Sequence, residues 1–336
     1  MEAGTLTADE GRTPYERLRE GMSERPAAVA LGLLAVIALA LIVSEGLHDV
    51  AQTGLFGLSN GASYALGAVG LTLVYGILKL TNFAHGDFLT FGAYIALLVN
   101  VTWELPLAVA ILAAMVLTAL LGVVFEVLMW GPMRARKAGV LQLILMSIGL
   151  ALVIRNGIQF VAGSEVSVLD VDVTSNVELL GLRIGETEAL ALVIGVTVLL
   201  AVGLMLRYTL LGKRMRALSD NLDLAETSGI DTDRIVLYTW LFAGALAGLA
   251  GVLLGAISNV KPELGFELLL VIFAAVVLGG IGDAFGALAA GLVLGVLIEW
   301  STLLVDSKWK IAIGFIVLIL VLIIRPQGIF GRARTV

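Results

Sequence analysis

The chain has 336 residues, 59% of them hydrophobic and 14% charged, with 39 glycines, no cysteine and a net charge of −6. A soluble domain is nearer a quarter charged, so the length does not translate into two water-soluble cores. Without cysteine there are no disulfides, thiolate metal sites or thiol catalysis, and the negative balance argues against nucleic acid as a partner. The class that remains is an all-α, polytopic membrane bundle.

Residues 1–25 are polar, lack an apolar period and are expected to form a cytoplasmic tail. Ala38-Leu39-Ala40 is a possible signal-cleavage site, but it lies inside an apolar run rather than after it, so no cleavage is expected. Stretches free of Asp, Glu, Lys and Arg then run 26–44, 50–78, 88–103, 105–125, 138–154, 189–206, 235–260, 268–282, 284–298 and 311–324. A span needs about 20 apolar residues, and the last three stretches are short, so eight to ten spans are predicted over a transmembrane domain of 26–325. If ten cross from a cytoplasmic N-terminus, 16 of the 21 Lys and Arg lie inside, and only Arg155, Arg183, Lys261, Lys308 and Lys310 lie outside. That asymmetry predicts both termini, including the tail 326–336, in the cytoplasm. The longest outer loop is expected at about 155–188, with a short strand or hairpin around Val166–Val173, and the longest inner loop after the tail at about 207–234.

Between 60 and 85, uncharged polar groups concentrate: Asn60, Ser63, Tyr64 and Thr72, then Tyr75, Asn82 and His85. Such groups either bond helices to one another or line a path for a polar solute without the cost of a buried charge. Asn60, Ser63, Tyr64, Tyr75, Asn82 and His85 are the candidate pathway residues, with His85 also suited to ordering the 79–87 turn. Asp87, Glu126 and Asp283 all end apolar runs, so no carboxylate is expected at mid-bilayer depth. No catalytic residue, metal site or cofactor is expected: His48 and His85 are far apart, and Gly212-Lys213 lacks the rest of a phosphate loop.

Glycines recur at helical spacing. Gly244, Gly248, Gly251 and Gly255 share one face, and Gly282 and Gly286 repeat the i,i+4 step. Close backbone approach between bilayer helices explains them, and faces that slide during transport would use the same spacing. The pairs Gly86-Asp87 and Gly282-Asp283, each followed by Gly-Ala, are a faint echo of a parallel repeat.

Within 207–234, Met215, Leu218, Leu222 and Ala225 form an apolar stripe amid charges, and Gly229 is placed to end the helix. This predicts a short amphipathic helix for the membrane surface or a cytoplasmic partner. Asp223-Leu224-Ala225-x-x-x-Gly229 resembles the loop by which ABC importer permeases engage their ATPases, with Asp and Leu in place of Glu and Ala. Met215, Leu218, Leu222, Asp223, Ala225 and Gly229 are therefore the candidate coupling residues.

The stretch NGASYALGAVGLTLVYGILKLTNFAHGDFLTFGAY at 60–94 resembles the high-affinity branched-chain amino acid ABC transporter permeases. RALSDNLDLAETSGIDTDRI at 216–235, GGIGDAFGALAAGL at 279–292 and RPQGIFGR at 325–332 agree in the same order. The resemblance implies an importer of two paralogous permeases, two cytoplasmic ATPase subunits and an external solute-binding protein, with membrane lipid around it. Urea and short-amide importers are similar in the same segments. The competing expectation is an autonomous channel or secondary carrier for a small polar solute, and neighbouring ATPase and binding-protein genes would separate the two.

Overall fold

The structure, a computed structural model, describes residues 26–171, 175–179, 181–324 and Gly328. The expected tails 1–25 and 326–336 (Gly328 aside), most of the 325–332 motif, and part of the expected Val166–Val173 strand lie outside the described residues.

Helices α1 (Pro26–Glu45), α2 (Leu47–Leu78), α3 (His85–Leu97), α4 (Leu107–Phe125), α5 (Gly131–Ala135) and α6 (Val140–Ala162) make up the first half of the bundle. A β1–β2 hairpin (Asn176–Leu179, Leu182–Gly185) leads to α7 (Glu186–Tyr208), and α8 (Leu210–Asp220) and α9 (Leu222–Thr227) follow. The second half is α10 (Thr232–Ile257), α11 (Leu264–Gly279), α12 (Ala284–Ser301) and α13 (Lys310–Ile324). Each of the ten charge-free stretches falls on a helix. Among the described residues six helical segments are long and apolar enough to cross a membrane, and the shorter apolar ones include Leu264–Gly279. The protein is a polytopic, helical, multi-pass membrane protein.

Long, glycine-rich α2 and α10 sit at the centre, each buried along most of its length. Small residues allow this. A methyl on Gly248 would lie 2.6 Å from the Ala114 carbonyl oxygen of α4, and one on Gly244 the same distance from that of Thr118. Gly92 of α3 meets the Gly248 backbone, Gly251 meets the Leu89 carbonyl, and Gly255 faces Val260. The predicted glycine face thus serves α4, α3 and a turn rather than one neighbour. Gly57 and Gly61 of α2 interlock with Gly291 and Gly295 of α12 in the same manner, and Gly286 touches Gly279. In hydrocarbon, where apolar burial drives nothing, this close contact is the main source of cohesion.

Direction along the bundle is fixed by α2. The hairpin sits at its N-terminal end, where Gln52 bonds Arg183 and the Ser59 hydroxyl donates to the Glu188 carbonyl at 2.8 Å. At the other end the Ser219 hydroxyl of α8 donates to the Gly76 carbonyl at 3.0 Å. Ser59 to Gly76 is about 26 Å of helix at 1.5 Å per residue. The hairpin and the 207–234 segment therefore occupy opposite ends, as the alternation of spans requires. The strands lie at 176–185 rather than 166–173; Ser167 instead makes a single antiparallel bridge to Val260.

Neither α3 nor α11 starts at an end. After Lys79, in the left-handed region at φ 52°, residues 80–84 turn back along α2. His85 then begins α3 beside Gly67, about 16 Å up the helix from Leu78. Residues 258–263 do the same from the hairpin end and begin α11 at Leu264. The two half-way N-termini meet: methyls on Gly86 and Gly265 would each overlap the other's carbonyl, and Thr90 Oγ1 accepts from Gly265 N at 2.9 Å. The order long helix, unwound turn, half-depth helix, helix, helix thus occurs twice in opposite directions, α2–α3–α4–α6 and α10–α11–α12–α13. This corrects the parallel echo. The counterpart of Gly86 is Gly265, whereas Asp283 caps α12 by accepting from Phe285 N and Gly286 N. The repeat is inverted.

Candidate functional site

Two regions bear on function: the junction at half depth, and the α8–α9 surface.

At the junction, Asn82 Oδ1 accepts from Ala84 N at 3.1 Å, the short-range bond that lets Asn replace a helical turn. It shapes the unwound segment. His85 is buried, and its Nε2 bonds the Gly67 carbonyl at 2.9 Å, pinning the start of α3 to α2. One residue on, Asp87 is 0% exposed and receives Arg155 Nε and Nη2 at 3.0 and 3.3 Å. Arg155 is therefore not in an outer loop. It lies inside α6, which runs on to Ala162, about 22 Å from the helix start. The expectation of no carboxylate at depth fails for the same reason: a charge-free run ends at any charge, even one neutralised across the bundle. Such a pair persists in a low-dielectric setting only because both oxygens are satisfied; removing one partner of a buried pair typically costs about 3–5 kcal/mol.

Of the other predicted pathway residues, only Asn60 has a side-chain hydrogen bond among the described residues. Asn60 Nδ2 donates to Glu299 Oε1 at 2.9 Å, and Lys310 Nζ reaches both Glu299 oxygens at 2.8 Å. Ser63 is fully buried with no hydrogen-bond partner for its hydroxyl, Tyr64 is buried, and Tyr75 is half-buried. In this arrangement Ser63, Tyr64, Asn82 and His85 are closed off from any solute. Sequence reasoning missed the Asp87–Arg155 pair and the Glu126 and Glu299 clusters, each of which needs a partner far away in the chain: Arg155 for Asp87, Trp240 for Glu126 and Asn60 for Glu299. A charged residue interrupting or ending an otherwise apolar run was the available signal.

A cleft of about 580 Å³ lies on the other side of α6, between Val153, Gly157 and Val161 and the α3 residues Phe91, Tyr94 and Leu97. Its walls are mostly apolar and suit hydrocarbon better than a polar solute.

The predicted single amphipathic helix is two. Thr209 caps α8, which ends at Asp220; Asn221 is extended, and its side chain caps α9 by accepting from Leu224 N at 3.0 Å. Gly229, at φ 82°, ends α9 with Gly229 N bonded to Glu226 O and Ile230 N to Ala225 O, a Schellman stop. Met215, Leu218 and Ala225 are buried in the chain's own core, so the stripe does not face outward. Periodicity alone does not distinguish the two destinations. What α9 exposes is Leu222 at 38%, Asp223, Leu224 at 64% and Glu226.

The model of a family described as the permease component of branched-chain amino acid transport systems matches residues 53–322. The chain belongs to this family. Its members are permease components rather than enzymes. The chain is 32% identical over 290 residues to the high-affinity branched-chain amino acid transport system permease protein LivH of Escherichia coli (strain K12), spanning 82% of this chain and 94% of that protein. Similarity to BraD of Pseudomonas aeruginosa, of the same description, is 31% over 290 residues, again 82% and 94%. The ribose import permease protein RbsC of Escherichia coli (strain K12) is 30% identical over 308 residues, 88% of this permease and 91% of that one. No solved structure matches.

Proposed function

We propose that this permease is the membrane-spanning subunit of a binding-protein-dependent ABC importer that carries branched-chain amino acids across the cytoplasmic membrane. The family match over 53–322 carries the reading. Ten segments cross the membrane, two of them as an unwound stretch continued by α3 or α11; both termini and the α8–α9 end face the cytoplasm, and the hairpin end faces the external binding protein. A second permease completes the translocation path, and two ATPase subunits supply the work. Exposed Leu222 and Leu224, flanked by Asp223 and Glu226, dock into the ATPase; Met215, Leu218 and Ala225 fasten that docking element to the bundle.

Leu224→Asp tests this. A charge set into an apolar contact costs several kcal/mol unless paired, and each 1.4 kcal/mol is about tenfold in affinity. The variant should insert normally and lose co-purification with the ATPase subunits. Wild-type co-purification and uptake would refute the docking.

A further inference from the structure

Charged and amide side chains deep in a spanning segment face protein or water, because hydrocarbon does not solvate them. Arg155, Asn156 and Gln159 of α6 retain exposure, as do Glu263 and Glu267 at the start of α11. The unwound 258–263 backbone runs from the hairpin end down to Glu263 at this depth, and irregular chain within a membrane is tolerated only inside protein or beside a water-filled cavity. These groups are ordered as a frame. Along α6, Arg155 and Gln159 are one turn apart; Glu263, which immediately precedes α11, is three residues before Phe266 in its first turn. Gln159 Nε2 donates to Glu263 Oε1 at 3.0 Å, and the Arg155 guanidinium lies 4.2 Å from the centroid of the Phe266 ring.

We propose that Arg155 and Glu263, with Phe266 beside them, form a contact station for the zwitterionic head group of an α-amino acid on the face shared by α6 and α11. This rests on the importer reading above. A guanidinium has five N–H donors, and Asp87 engages two atoms of Arg155, Nε and Nη2, leaving the Nη1 edge for a carboxylate. The Arg155 side chain is 15% exposed, so an edge is reachable, while buried Asp87 fixes its orientation. Glu263 Oε2 has no hydrogen-bond partner among the described residues and accepts an ammonium. Asp87, Arg155 and Glu263 together carry one net negative charge, which favours a group bearing an ammonium and repels a plain carboxylate. Phe266, 48% exposed, offers an apolar surface to a branched side chain.

The cysteine-free chain makes this testable in the assembled importer with cysteine-free partners in proteoliposomes. Phe266→Cys should react with a water-soluble methanethiosulfonate, whereas Val153→Cys, on the cleft side of α6, should not. Leucine-loaded binding protein with ATP should slow the Phe266→Cys reaction about tenfold, the ratio expected if occupancy reaches about 90%. If Phe266→Cys fails to assemble, Leu270→Cys, one turn along on the same exposed side, is read in its place. Reactivity no greater than that of Val153→Cys, or a rate unchanged by loaded binding protein, overturns the station when the wild type imports leucine. Absence of wild-type leucine import under these conditions counts instead against the importer reading.

Discussion

Glu126 and Glu299 sit at opposite ends of the bundle and are held in the same way. Glu126, in a π-turn (Glu126–Trp130) after α4, takes the Trp240 indole of central α10 at 2.6 Å and a forked contact from Arg134. Glu299, near the end of α12, takes the Asn60 amide of central α2 and the ammonium of Lys310, which opens α13. Each cluster ties a central helix to the last turn of its glycine-packed partner and to the connection that follows. The inverted repeat is thus conserved in chemical role and lost in residue identity: indole against amide, guanidinium against ammonium. Comparing the halves by letters alone does not reveal it.

The largest expected effect comes from the interfaces these clusters lock. Gly295→Leu should cost more than about 3 kcal/mol and abolish the folded bundle, because Gly61 and Gly57 backbone lies across from it and cannot yield. Gly248→Leu should do nearly as much against Ala114 and Thr118 of α4. Thermal unfolding of the purified variants measures both, and a Gly248→Leu protein of wild-type stability would break the equivalence.

Next in size is removal of the cations. Lys310→Met and Arg134→Met each leave a buried carboxylate with a single neutral donor, at a cost of about 3 kcal/mol. Pairing Lys310→Met with Glu299→Gln, and Arg134→Met with Glu126→Gln, should recover most of the loss in unfolding temperature, because the uncompensated charge goes too. Recovery at one end only would show that the clusters differ in more than composition.

The smallest difference lies in the neutral donors. Losing one hydrogen bond to a charged group is worth about 1.5–3 kcal/mol. Trp240→Phe should exceed Asn60→Leu within that range, since the Trp240 ring also stacks on Trp130 at 6.3 Å between centroids. Equal shifts in unfolding temperature would assign the stack no part.

Much of this was legible from the residues. Charge-free runs located every long helix, and the step from Gly244 to Gly255 marked a packing face. The stop at Gly229 followed from its place after an amphipathic stripe. The rest depended on distance. Arg155 reads as a loop residue until Asp87, 68 positions earlier, is seen to neutralise it. The stripe Met215, Leu218, Ala225 has the period of a docking helix whether it meets a partner or its own bundle. Half-depth starts at His85 and Leu264 leave no periodic trace, because they are set by glycine contacts between segments far apart.

Leucine uptake into proteoliposomes holding this permease, with its partner subunits and loaded binding protein, tests the central claim most directly. With ATP inside and ATPase subunits present, accumulation against a gradient is predicted; without either, none. Leucine flux that persists when the ATPase subunits are left out would contradict the account and make the chain an autonomous carrier or channel.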